Sequence, residues 1–213
     1  DGSLDASFDG DGKVITDIGV SWEESNSIAV QPDGKILVAG NSDYSSSDTD
    51  FALVRYNADG SLDTSFSEDG KVTTAIGTSY DFGRSITLQA DSKILVAGSS
   101  YNGSNENFAV VRYNADGSLD TSFSADGMVT TDFGTGGDSG YCAVLQPDGK
   151  ILLVGSSYNG SNTDFALVRY NADGSLDTNF SGDGKVTTAI GTDSDNGRSV
   201  TLQPDGKVLV AGT

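Results

Sequence analysis

The pentapeptide Asp-Gly-Ser-Leu-Asp begins at Asp1, Asp59, Asp116 and Asp173, and no other feature of the sequence limits the fold so strongly. The spacings are 58, 57 and 57 residues. A fixed period of this length means one supersecondary unit copied along the chain, each copy covering the apolar face of the next. The 213 residues divide into repeats 1–58, 59–115 and 116–172 and a partial repeat 173–213. They are read as a single repeat domain with nothing outside the period.

Four segments recur inside the period. One is Lys-Val-Thr-Thr-Ala-Ile-Gly, at 71–77 and 185–191, with variants from Lys13 and Met128. The second is a short run such as Ser85-Ile86-Thr87-Leu88-Gln89. The third is Lys-Ile-Leu-Val-Ala-Gly at 35–40 and 93–98, and the fourth is Phe-Ala-Leu-Val-Arg-Tyr-Asn at 51–57 and 165–171. Each is short, rich in β-branched and aromatic residues, and bounded by Gly, Asp or Asn, which are strand and turn signals. No segment sustains a helical period. The second and third segments are joined by Pro-Asp-Gly at 32–34, 147–149 and 204–206, where Pro pre-sets φ and Gly accepts φ > 0, so a tight hairpin is expected. The second repeat carries Ala90-Asp91-Ser92 instead, and Ser92 at the Gly position should cost stability or alter the turn. Phe51 to Val54 run without a polar residue, which points to a strand buried on both faces rather than one with a wet side.

The fold expected is all-β: a β-propeller built from four-stranded antiparallel repeats. Tandem small β-sandwich modules are the alternative, but four strands in so few residues make little core alone. A β-solenoid usually has shorter coils.

The repeat resembles the delta-60 repeat family of bacterial proteins. The residues that carry the resemblance are Leu202 to Gly212, Phe165 to Asp177, and the Phe and Gly that follow, such as Phe66 and Gly70. The resemblance covers the whole chain. It implies a β-propeller repeat in large secreted or cell-surface proteins, adhesin-like ones among them, with no established catalytic residues. It implies nothing about the ligand.

Composition narrows the function. The net charge is −19, from 31 acids against 12 bases, and all but Glu23, Glu24, Glu68 and Glu106 of those acids are Asp. Asp suits turns and oxygen-rich cation sites. So acidic a chain repels phosphate backbones, so nucleic acid is not expected as a partner. The charge would also keep a secreted protein soluble. There is no apolar run long enough to span a membrane. Histidine is absent, which removes the commonest general base and zinc ligand. Cys142 stands alone in place of a Ser of the other repeats and reads as a small core residue, not a nucleophile. No acid pair stands out from the repeated turns, so the chain is read as not an enzyme.

The start and end of the chain read as cuts through a longer protein. The last repeat stops at Thr213 without its Phe-Ala-Leu-Val-Arg-Tyr-Asn segment, while Lys13 to Thr16 form a predicted strand with no blade of its own. Besides a cut from a longer ring, a three-stranded last blade fits, as does self-association through the incomplete terminal repeat.

Two sets of candidate site residues follow. In Asn-Ala-Asp-Gly-Ser-Leu-Asp, oxygen-bearing side chains at Asn57, Asp59 and Asp63, at Asn114, Asp116 and Asp120, and at Asn171, Asp173 and Asp177 resemble part of a calcium loop. Calcium is the one cofactor this pattern suggests. A self-bonded turn explains the same residues. The acidic turns Asp69-Gly70, Asp126-Gly127 and Asp183-Gly184 read as plain turns. Arg55, Arg112 and Arg169 should bury their stems and pair with recurring Asp. A ligand without the repeat's symmetry should use residues that break it. Those are Trp22, Tyr80, Gly137 and Ser194 before the second segment, and Asn26, Arg84, Tyr141 and Arg198 four residues on. Of these, Trp22, Tyr80, Arg84, Tyr141 and Arg198 are the ligand-binding candidates, with the aromatics offered to a sugar or peptide. Ordinary loop variation is the plainer explanation. Asn102-Gly103-Ser104 and Asn159-Gly160-Ser161 read as hairpin turns.

The function expected is a non-catalytic structural or interaction module of a secreted or cell-surface bacterial protein, serving adhesion or spacing, with a glycan or protein ligand. A carbohydrate- or peptide-binding lectin-like propeller is the alternative. A strand-donating subunit of an extracellular polymer comes third.

Overall fold

The computed structural model describes residues 1–19, 22–45, 48–134 and 136–213. Among them there are strands, turns and no helix, and hence no helix long and apolar enough to cross a membrane. Fourteen strands follow in chain order: β1 (Glu23–Val30), β2 (Ile36–Ser45), β3 (Asp48–Tyr56), β4 (Lys71–Thr74), β5 (Asp81–Leu88), β6 (Ile94–Tyr101), β7 (Glu106–Tyr113), β8 (Met128–Thr131), β9 (Asp138–Leu145), β10 (Ile151–Tyr158), β11 (Thr163–Tyr170), β12 (Lys185–Thr188), β13 (Gly197–Leu202) and β14 (Val208–Gly212). Three antiparallel meanders, β1-β2-β3-β4, β5-β6-β7-β8 and β9-β10-β11-β12, are followed by the pair β13-β14. Each sheet straddles two sequence repeats, since the pentapeptide lies in the turn between a sheet's third and fourth strands.

The sheets stack face to face as blades. Along β6, Ile94 and Val96 pack with Leu37, Ala39 and Leu53 of the first blade, while Leu95 and Ala97 pack with Ile151, Leu153 and Val168 of the third. Alternate residues of one strand thus enter two different cores. This is why the Phe-Ala-Leu-Val runs carry no polar residue: β3 is buried from Thr49 to Tyr56. Truncating such a leucine to alanine costs about 2–5 kcal/mol. The strands β1, β5, β9 and β13 pack against one another in succession, which makes the second sequence segment the innermost strand of every blade.

The Pro-Asp-Gly hairpins form as the sequence indicates. Val30 pairs with Ile36, Gly34 donates to the Gln31 carbonyl at 2.9 Å, and Gly34 has φ +87°. Ser92 is forced to φ +67° in the same turn. The Asn102 and Asn159 segments are hairpin turns, with Gly103 at φ +95° and Gly160 at φ +102°.

One expectation needs correction. Residues 13–16 form no strand. The equivalent β4 pairs with a preceding Phe-Ala-Leu-Val strand, and the described residues place none before Lys13. The segment instead lies along the first blade, where the Tyr56 hydroxyl donates to Thr16 Oγ1 at 2.7 Å. Thr74 with Tyr113 and Thr131 with Tyr170 make the same contact at the next two junctions, also at 2.7 Å.

Candidate functional site

Every innermost strand carries a β-bulge at the same place. Ser25 pairs with Gly40 and Ser27 with Ala39, so Asn26 is the extra residue. Arg84, Tyr141 and Arg198 are the extra residues of β5, β9 and β13. A bulge re-aims the side chain it adds. Here it needs glycine across the ladder: a Cβ on Gly98 would overlap the Phe82 carbonyl oxygen, and Gly40, Gly155 and Gly212 face Glu24, Ser139 and Asn196 in the same way. Gly83 likewise lies against the Gly40 carbonyl of the preceding blade, and Gly140 against that of Gly98. At the bulge sites adjacent blades therefore approach closely.

Three of the four bulged side chains, Arg84, Tyr141 and Arg198, join with Tyr80 and Phe82 into one stack. The ring of Tyr80 lies parallel to Phe82 with centroids 6.4 Å apart. The Arg84 guanidinium carbon sits 5.2 Å from the Phe82 centroid and 4.8 Å from that of Tyr141, and Arg198 sits 4.2 Å from Tyr141 on the other neighbouring blade. Contacts of this kind contribute about 0.5–2 kcal/mol each. Arg84 also donates through Nη1 to Ser99 Oγ at 2.6 Å and to the Gly140 carbonyl at 3.0 Å, and pairs with Glu106 at 3.4 Å. Asn26 makes the corresponding cross-blade bond to the Gly83 carbonyl at 3.0 Å.

Four of the five ligand-binding candidates, Tyr80, Arg84, Tyr141 and Arg198, are thus brought together. Trp22 stands apart from the stack: it is 51% exposed, and its carbonyl accepts from the Asp43 N–H at 2.9 Å. Tyr80 is 42% exposed and forms a parallel bridge with Thr49 of the first blade. Phe82 joins the stack without having been singled out from sequence. The signal was present, since Glu24, Ser139 and Asn196 fill its position in the other repeats.

The Asn-Ala-Asp-Gly-Ser-Leu-Asp turns divide their oxygens differently. Asp59 Oδ1 accepts from the N–H and hydroxyl of Ser61, at 3.0 and 2.6 Å, and these bonds hold its carboxyl below the ordinary range. Asn57 Nδ2 donates to Ser61 Oγ at 3.0 Å. Asp116 with Ser118, Asp173 with Ser175, Asn114 and Asn171 repeat both contacts. Asp63 lies beneath, 5% exposed, with Oδ2 at 2.7 Å from Arg55 Nε and 2.8 Å from Lys35 Nζ. Burial pushes the Asp63 carboxyl up, but the bonds from Lys35 and Ser65 and the charge of Arg55 outweigh it and hold it well below the carboxylate range. Asp120 sits the same way between Arg112 and Lys93, and Asp177 between Arg169 and Lys150. Each guanidinium also lies over a ring, Phe66, Phe123 or Phe180, at 4.4–4.6 Å. The expected Arg–Asp pairing is therefore present in all three repeats. Among the described residues no three of His, Cys, Asp or Glu gather as metal ligands do.

A further recurring acid was not singled out from sequence. Asp81 and Asp138 open β5 and β9, both fully buried, and accept from the loop before them: Ile76 N at 2.7 Å and Phe133 N at 2.8 Å. Asp195 does so for Ile190 at 2.8 Å, and Glu23 for Gly19 at 2.9 Å. These carboxylates fix the loops that carry Tyr80 and Ser194.

Four-stranded blades packed around adjacent innermost strands define a β-propeller repeat protein. Residues 31–66, 89–123 and 146–180 match the family described as "Domain of unknown function (DUF5122) beta-propeller", one match per repeat. No curated protein matches the chain. Among solved structures it is similar to a protein of unknown function from Bacteroides caccae, at 14% identity and a TM-score of 0.52 over 89% of this chain and 53% of that one. It is more distantly similar to a gluconolactonase from Xanthomonas campestris (16% identity, TM-score 0.45, 88% and 54% covered). A fucose lectin from Kordia zhangzhouensis, solved with methyl-fucoside, matches at 11% identity and a TM-score of 0.45, with 77% and 97% covered. At such identities the likeness to the first is one of fold alone. The chain spans about half the length of the first two.

Proposed function

We propose that this chain is a non-catalytic interaction module of a secreted or cell-surface bacterial protein, with repeats of the delta-60 kind, and that it engages its ligand at the innermost-strand stack. One observation carries the reading: five residues that break the repeat meet in a single row, the bulged Arg84, Tyr141 and Arg198 with Tyr80 and Phe82. The repeat-keeping charges, by contrast, are spent on the scaffold. The service would be adhesion or spacing in a larger assembly. The acidic surface and the resemblance of the repeat support an extracellular place.

A lectin-like propeller is the second reading, favoured by the exposed rings of Trp22 and Tyr80, which can stack on the C–H face of a sugar. A panel of immobilised glycans and bacterial or host surface proteins, probed with the wild-type chain and with a Tyr80→Ser, Arg198→Asn variant, tests both. We expect at least one ligand class to bind the wild type and to lose at least tenfold in affinity with the variant. Binding that both chains share equally would remove the stack from the account.

A further inference from the structure

The junction between the first and second blades holds a feature that ligand binding does not use. Asp50, in β3, is 8% exposed, and its Oδ1 has no hydrogen-bond partner. Across the junction Thr49 bridges to Tyr80 and its N–H donates to the Ser79 carbonyl at 3.3 Å, which sets Asp50 beside the fully buried Asp81. Asp81 is already committed through Oδ2 to Ile76 N and to Gly77 N at 3.1 Å. Among the described residues neither carboxylate forms an ion pair with Lys or Arg. The other ionisable groups nearby are Asp48, Asp43, whose Oδ1 accepts from Thr49 Oγ1 at 2.8 Å, and the Tyr113 hydroxyl, bonded to Thr74. All are acids.

The repeat supplies its own comparison. At the second junction the position of Asp50 is taken by Asn107, 6% exposed, with the fully buried Asp138 at the position of Asp81. A neutral amide of the same shape therefore serves where Asp50 stands. At the third junction Asp164 returns, but Asn159 Nδ2 donates to it at 2.9 Å and Asp195 is only half-buried.

We propose that Asp50 keeps a proton in the folded chain at the blade junction it forms with Asp81, and that loss of this proton loosens the junction and the loop carrying Tyr80. Two carboxylates so placed cannot both ionise cheaply, because each is desolvated and repels the other. The protonated Asp50 is the counterpart of Asn107. Burial, then Asp48, then Asp81, pushes the Asp50 carboxyl up to about 6. Burial raises Asp81 as well.

The sign follows from linkage. Between about pH 4 and 6 the unfolded chain has released this proton and the folded chain keeps it, so stability falls as pH rises through that window and levels off above it. The absence of histidine leaves the upper part of the window free of ordinary titrations. Thermal unfolding of the full chain from pH 4.5 to 8, with hydrogen exchange at residues 48–50 and 79–82, tests the pair. We expect the wild-type Tm to fall between pH 4.5 and 6.5 and then level, with exchange in both segments speeding up near pH 6. Asp50→Asn should flatten the profile and raise the Tm at pH 7.5 by several degrees. Asn107→Asp should add a second pH-dependent step at the second junction. An Asp50→Asn profile parallel to the wild type overturns the proposal. So does calcium raising the wild-type Tm at pH 7.5 but not that of Asp50→Asn, which would make the pair a cation site.

Discussion

Asp120 ties four groups together: Arg112, Lys93, Ser122 and, through Arg112, the Ala172 carbonyl of the next blade. Its removal leaves a buried guanidinium without a counter-charge, so Asp120→Ala should destabilise by about 3–5 kcal/mol in urea unfolding. Ser122→Ala, which removes one hydroxyl bond, should cost about 1 kcal/mol. The same three carboxylates set the acid limit. Asp63, Asp120 and Asp177 are held below their ordinary range by the Lys and Arg beside them, so they contribute stability above about pH 4 that is lost as pH falls further. Asp50 changes with the opposite sign, through the burial that raises it, and the Tm should therefore peak in acid solution, near pH 4.5. A Tm that rises steadily to pH 8 would contradict the Asp50 assignment, and one that does not drop below pH 4 would contradict that of the three paired carboxylates. The Arg–Asp pairing was legible in the sequence because both residues recur at a fixed distance. The role of Asp81 and Asp138 was not, because a lone Asp before a strand reads as turn chemistry until the loop it caps is seen.

At the scale of the element, strands and hairpins were legible wherever a segment repeated, and Ser92 tests the reading directly. It occupies φ +67° where the other hairpins have glycine. Ser92→Gly should stabilise by about 1 kcal/mol, raising the Tm by ~2–4 °C. Gly98→Ala should do the reverse. Its Cβ would meet the Phe82 backbone, so either the bulge or the blade contact must yield, at a cost of ~3 kcal/mol. The bulges themselves were hidden, because one extra residue in a strand leaves no mark when every repeat carries it. Only the register shows that residues 26, 84, 141 and 198 stand outside the ladder. The expected strand at 13–16 failed for a physical reason too: a strand needs an edge to pair with, and local sequence does not say whether one is there. The Asn-Ala-Asp-Gly-Ser-Leu-Asp turns belong to this scale as well. Since Asp63, Asp120 and Asp177 each already pair with one Lys and one Arg, we expect millimolar calcium to shift the Tm by less than a degree or so, within ordinary ionic-strength effects. A rise of several degrees over chelator would return these turns to the role of cation sites.

For the whole molecule, symmetry and its breaking divide the labour. Residues kept in every repeat build cores, turns and ion pairs, while five that the repeats do not share, Tyr80, Phe82, Arg84, Tyr141 and Arg198, meet on or beside the innermost strands at one end of the blades. The stack could be named from sequence residue by residue, but not as a stack, since no local pattern tells that Arg84, Tyr141 and Arg198 reach across blades to one another. The most direct test of this division is amide chemical-shift mapping while the tightest ligand of the surface panel is titrated into the full chain. We expect the largest shifts at residues 80–84, 138–141 and 194–198. Shifts concentrated instead on the hairpins at 31–35, 89–93 and 146–150 would place the ligand at the opposite ends of the same strands and contradict the account.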